Sequence, residues 1–191
     1  MSTLIEQCAI TYANKWFSKE RQLVSDLESC DQALRVSALQ RAAGYFKVAR
    51  TMPVAYDVGR GFDRLAPALA ILDEAEFRQV ETDSLRGAVQ SLRRRLARAY
   101  GRKDMLSAAT KFLWLMHRPV VVILDSQARA ALGTPDGDYD SYLDHWYEGF
   151  ASNVSKVREA FAALAEGNID LSLQSVSRVL SLRLRSNRTG S

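Results

Sequence analysis

Asp125 closes a short aliphatic run, Val120 to Leu124, and stands directly before Ser126-Gln127-Ala128-Arg129. A carboxylate at that point accepts amide hydrogen bonds and faces the positive end of a helix. Set in a cleft, the same charge would stabilise a cationic transition state, and the two roles are compatible. Upstream, Lys111 is the one charged residue between Met105 and Met116, where nearly every other position is apolar or small. An ammonium there must snorkel to the surface or find an acidic partner, because an unpaired buried charge is too costly to keep. The remaining reading is a functional amine with altered basicity. Ser107 lies four residues before Lys111 and Arg118 seven after it, so the three can share one polar edge. Asp125 and Lys111 are the candidate catalytic residues.

A second constellation is basic. The segment SLRRRLARAYGRK places arginines opposite an apolar stripe, and Arg93, Arg94, Arg98, Arg102 and Lys103 are candidates to meet successive phosphates. A solvated helix paired with acidic neighbours is the competing reading. Arg178, Arg183, Arg185 and Arg188 follow Asp170 with no intervening acid, which adds to a positive side.

Other patterns are less productive. Asp136, Asp138, Asp140 and Asp144 alternate like a cation loop but lack its closing glutamate, so they suit a turn and helix caps. His117 and His145 have no histidine or cysteine at ligand spacing, and no metal site is expected. Tyr142, Trp146, Tyr147 and Phe150 could stack bases, although their spacing of three to four suits a helix core better. There is no phosphate-cradling glycine loop, dinucleotide fingerprint or nucleophile elbow, and no cofactor is expected.

The elements that must position these residues are helical throughout. Leu4, Ile5, Cys8, Tyr12 and Trp16 predict a first helix to about Ser18, and Arg21 to Ser29 a short second one. Asp31 should cap a third, with Leu34, Ala38, Ala42, Tyr45 and Ala49 as its stripe. Pro53, Gly59 and Gly61 mark a loop. Short helices follow near Asp63–Asp73, with Pro67 in the first turn, and near Glu74–Val80. Asp83 looks like the cap of the long basic helix, which Gly101 should close in a left-handed conformation. The central helix comes next. Val120 to Leu124 is β-branched yet too isolated to found a sheet, so it is expected as a buried connector. Gly133 should close the helix that Asp125 opens, Ser141 to Glu166 forms a long helix, and Asp170 caps a last one through Leu184.

These readings combine into an all-α fold, a single compact domain of about eight helices over residues 1–185 with a disordered tail at 186–191. At 191 residues and 47% hydrophobic, the chain is long enough to enclose a core. A formal charge of +4 is too mild to identify a nucleic-acid binder without its distribution. Cys8 and Cys30, without metal or redox spacing, are expected as small core residues in a reducing compartment. No leader or membrane-length apolar run is visible, and a cytoplasmic location is expected.

The stretch SAATKFLWLMHRP followed by VVVILDSQARAAL resembles the centre of a group of bacterial all-helical proteins of uncharacterised function. More remotely it is similar to the helix-hairpin-helix DNA glycosylases, where a helix, an aliphatic connector and an aspartate opening the next helix form the catalytic core. The resemblance covers roughly thirty residues. It implies a helix-hairpin-helix-glycosylase-like scaffold in which Asp125 activates a nucleophile and stabilises a sugar cation. The lysine of those enzymes, where there is one, would fall near Ser107, so Lys111 is not its equivalent. The glycine-rich hairpin is missing too, since GRKDML offers only Gly101. Two functions are compatible with these residues. One is a nucleic-acid-binding protein with DNA as its partner, in its sharpest form a base-excision glycosylase. The other is a non-enzymatic protein-interaction module in which Asp125 only caps a helix.

Overall fold

The computed structural model describes residues 4–52, 64–102 and 104–167, and every described element is helical, with no strand. The expected loop residues Pro53, Gly59 and Gly61, together with Lys103, the last helix from Asp170 with its arginines, and the tail at 186–191, lie outside the described residues. The described residues group into two compact units. One spans Gln22–His145; the other draws on residues up to Arg21 and from Trp146.

Nothing between Trp16 and Arg21 stops a helix, for WFSKE has neither proline nor glycine. Consequently α1 (Leu4–Lys15) is followed without a break by a π turn at Trp16–Glu20 and by α2 (Arg21–Leu27), the Arg21 amide donating to the Trp16 carbonyl. In the unit formed by the chain ends, Tyr12 meets Phe161 edge-on at 6.2 Å and Trp146 stacks on Phe150 at 5.1 Å. The aromatic face expected as helix core is only partly so: Tyr142 is buried, whereas Tyr147 is exposed.

In the Gln22–His145 unit, α3 (Gln32–Tyr45) starts where expected, with Asp31 Oδ1 accepting from the Ala33 amide at 2.8 Å. Its inward stripe is Val36, Leu39 and Ala43 with Ala38 and Ala42. Leu34, assigned to that stripe, is exposed instead, because it lies in the first turn beside the exposed cap. Lys47 then turns the chain in a left-handed conformation, φ 58°, which costs a non-glycine residue about 1–2 kcal/mol. A 3-10 turn at Ala49–Thr51 follows.

Pro67 is accommodated in the first turn of α4 (Ala66–Leu72), where a missing amide is harmless. The Tyr100 hydroxyl binds that turn, accepting from the Ala68 amide at 3.2 Å and donating to the Arg64 carbonyl at 2.9 Å. After α5 (Ala75–Arg78), with Phe77 fully buried, α6 (Leu85–Tyr100) presents Leu85, Val89, Leu92, Leu96 and Tyr100 inward. Its flanking residue is Ser84 rather than Asp83: the Ser84 hydroxyl is held by the Glu81 backbone, and Asp83 stays exposed. Gly101 closes α6 at φ 60°, as its lack of a Cβ allows.

α7 (Leu106–His117) packs along α6 and is internal, with Leu106, Ala108, Ala109 and the run from Thr110 to Leu115 all buried. A turn at 118–120 and an irregular connector lead to α8 (Ser126–Ala131), closed by Gly133 at φ 65°. α9 (Tyr139–Gly167) begins ahead of the expected Ser141, because Asp138 Oδ1 accepts the Ser141 amide and draws Tyr139 into the helix. Cys8 and Cys30 are both exposed, contrary to their expected core role; on α1 it is Ala9 that turns inward, and Cys30 falls in the turn before the Asp31 cap.

Truncating Phe112, which is fully buried on α7, removes a large apolar group and leaves a cavity. Phe112→Ala should lose about 3–5 kcal/mol in urea or thermal unfolding. An unchanged Tm would show that α7 is not internal.

Candidate functional site

The site is built around residues 120–124, a connector with no strand beside it among the described residues. Val121, Val122 and Leu124 are buried, so its backbone groups must find partners inside the protein. The His117 carbonyl accepts both the Val120 and Val121 amides at 3.0 Å. The Tyr139 hydroxyl donates to the Val122 carbonyl at 2.9 Å, and the Tyr142 hydroxyl donates to the Ile123 carbonyl at 2.9 Å. Thr110 Oγ1 accepts the Leu124 amide at 3.2 Å. Helices α7 and α9 therefore clamp the connector through hydroxyl groups, and Asp125 is delivered at its end.

Asp125 is exposed and caps α8 through a single oxygen: Oδ1 accepts the Gln127 amide at 2.8 Å and the Ala128 amide at 2.9 Å. Oδ2 has no hydrogen-bond partner among the described residues. The negative charge reaches two neighbours. Burial lowers the basicity of Lys111, and the Asp125 carboxylate opposes that change. Burial pushes the Tyr142 phenol up to about 12, and Asp125 adds to the shift.

Lys111 does not snorkel. It is 9% exposed, and its Nζ lies 2.8 Å from Ser107 Oγ and 3.4 Å from the Phe46 carbonyl, at the end of α3. The carbonyl end of a helix carries partial negative charge, which moderates the cost of burying an ammonium there. The Ser107–Lys111 half of the expected polar edge is thus a hydrogen bond, while Arg118 sits half-buried just past α7.

The basic helix divides into two sets. Arg86 pairs with Asp144 and Asp140, and Arg95 pairs with Glu74 and Glu76. Arg93 bridges the Asp104 carboxylate at 2.8 Å and the Gly137 carbonyl at 3.0 Å. Asp104 also accepts the Leu106 amide at 2.9 Å, so it anchors the start of α7 to α6. Arg94, Arg98 and Arg102 are exposed and belong to no ion pair among the described residues. Lys103 is outside those residues.

The acidic run is spent on turns and ion pairs, Asp136 with Arg129 at 3.5 Å and Asp138 on the start of α9. His117 and His145 contact the backbone carbonyls of Phe77 and Ser141. Among the described residues no cluster of acids, histidines or cysteines could hold a metal ion. Sequence reasoning missed Thr110 and Tyr139, and it read Tyr142 as part of an aromatic face, not as a hydrogen-bond donor to the connector. A threonine inside an apolar helix was a visible signal; which carbonyls the tyrosines reach was not. Comparison of the chain with family models, curated proteins and solved structures gives no match.

Two outcomes follow from this geometry. Asparagine keeps an oxygen for the cap, so Asp125→Asn should leave stability nearly unchanged, whereas Asp125→Ala should cost about 1 kcal/mol in urea unfolding. A large loss in the asparagine variant would show that the charge, and not the cap, matters for stability. The second concerns pH. The folded protein holds the Tyr142 proton more tightly than the unfolded chain, whose phenol titrates near 10.0. The resulting stability is complete below pH 10 and disappears as pH rises toward 12, a loss of roughly 2–3 kcal/mol. Tyr142→Phe should flatten that alkaline slope, and an identical slope in both proteins would assign it to other groups.

Proposed function

We propose that this chain is a nucleic-acid-binding helical protein that contacts the DNA backbone through Arg94, Arg98 and Arg102. One observation carries the reading: their neighbours Arg86, Arg93 and Arg95 are neutralised by acids, while these three remain exposed outside any ion pair among the described residues. Arg94 and Arg98 are one turn apart on the same face of α6, with a rise of about 6 Å between them, a separation suited to successive phosphates. Lys103 extends the same set in sequence. Among the described residues no helix is long and apolar enough to cross a membrane.

Within this reading Asp125 is the carboxylate of a base-excision reaction, in which water replaces the base at the sugar carbon and the carboxylate stabilises the intervening sugar cation. An exposed carboxylate that caps with one oxygen and leaves the other open supports that role. A chain of contacts also runs from the basic helix toward it: Arg93 to Gly137, Tyr139 and Tyr142 to the connector, and the connector to Asp125. The alternative is a non-enzymatic protein-interaction module. It is favoured by the fact that two cap bonds already account for Asp125 structurally.

Titration with duplex and single-stranded DNA at several salt concentrations tests the binding. Arg94→Glu with Arg98→Glu should weaken it and reduce the salt slope by about 1 for each phosphate that the variant no longer neutralises. Equal affinity and slope in variant and parent would remove α6 from the interface. Base release from a panel of modified duplexes separates the finer readings: Asp125→Asn should fold and bind yet lose release, and equal release by parent and variant would leave Asp125 as a cap.

A further inference from the structure

Ser107 and Lys111 are one turn apart on α7, with Lys111 Nζ 2.8 Å from Ser107 Oγ. Lys111 is buried, whereas Ser107 is half-buried. That is the arrangement a nucleophile and its base require: a shielded base and a reachable oxygen within hydrogen-bond distance. A neutral lysine amine has two hydrogens and one lone pair. The Phe46 carbonyl at 3.4 Å can take one hydrogen, which orients the lone pair toward the Ser107 hydroxyl. Burial favours the neutral amine, because it lowers the basicity of Lys111, while the Asp125 charge moderates the effect.

A third group completes the set. Ser107 lies in the first turn of a twelve-residue helix, where amides point outward without intrahelical acceptors. Asp104 takes the Leu106 amide, and the Met105 carbonyl takes the Ala109 amide. The Ser107 and Ala108 amides between them have no acceptor among the described residues. The start of this helix carries partial positive charge, which favours an oxyanion forming beside Ser107.

We propose that Ser107 and Lys111 form a nucleophile–base dyad for the hydrolysis of carboxylic esters, with the positive end of α7 favouring the oxyanion. The Ser107 hydroxyl proton passes to Nζ as Oγ bonds to the acyl carbon. The tetrahedral oxyanion collapses, breaking the bond to the alcohol oxygen, which takes the proton from Nζ. Water then attacks the acyl–Ser107 ester with Nζ again accepting the proton; the carboxylic acid leaves and the serine is restored. This activity is independent of the DNA-binding reading, since it uses neither Arg94 nor Arg98.

The test is reaction of the full chain with p-nitrophenyl acetate and with a fluorophosphonate probe, the modified residue being located by peptide mass mapping. A single adduct on Ser107 is expected, absent in Ser107→Ala. Lys111→Met, checked for helicity by circular dichroism, should slow labelling by at least about 100-fold. Asp125→Asn should move the pH midpoint of labelling downward, because removing a nearby negative charge lets the amine lose its proton more readily. Absence of an adduct, an adduct elsewhere, or a labelling rate indifferent to Lys111→Met overturns the proposal. Should Lys111→Met fail to fold, the Asp125→Asn midpoint decides: an unmoved midpoint shows that Lys111 is not the base.

Discussion

A buried stretch of irregular backbone, with no strand beside it among the described residues, is the constraint on which the Gln22–His145 unit depends. Each carbonyl or amide left unpaired there would cost about 1–3 kcal/mol, a large part of the stability of a typical domain. The chain meets part of that demand with side chains. Thr110 on α7 accepts one amide, and Tyr139 and Tyr142 on α9 each donate to one carbonyl. Because a hydroxyl must stand within hydrogen-bond reach of its carbonyl, these bonds set the register of both helices against the connector.

The electrostatics of the site are a consequence. With the connector held in place, Asp125 emerges beside the polar edge of α7, and its charge acts on both Lys111 and Tyr142. The two respond with opposite consequences for stability. Burial of Lys111 penalises its charged form, so the protein gains stability as pH climbs from the lowered folded value toward 10.5. Tyr142 is held neutral, so stability falls as pH rises above the ordinary phenol range. Lys111 also reaches the carbonyl of Phe46, immediately before the left-handed Lys47.

Charge on α6 is sorted by what lies across from it. The same short segment supplies Arg93 and Arg95, which reach acids on other elements, and Arg94 and Arg98, which reach none among the described residues. Helical geometry alone separates them, since consecutive residues point about 100° apart. A run of arginines in sequence is thus a smaller patch in space, and the candidate interface contracts from five residues to the exposed three plus Lys103.

The helical class was legible from the chain, because apolar spacing of three to four and caps such as Asp31 and Asp125 are local properties. Gly101 and Gly133 were legible as helix stops for the same reason, and so was the interior position of α7, whose apolar residues cover most of its circumference. Asp83 and Leu34 show where local reasoning stops: several neighbouring residues could cap or face inward, and small rotations of the helix decide among them. The pairing of Asp104 with Arg93, the grip of Tyr139 and Tyr142 on the connector, and the Lys111 contact with Phe46 span long sequence separations. No spacing rule encodes such contacts. They exist only when packed helices bring distant donors within about 3 Å of an acceptor, which is a property of the tertiary structure.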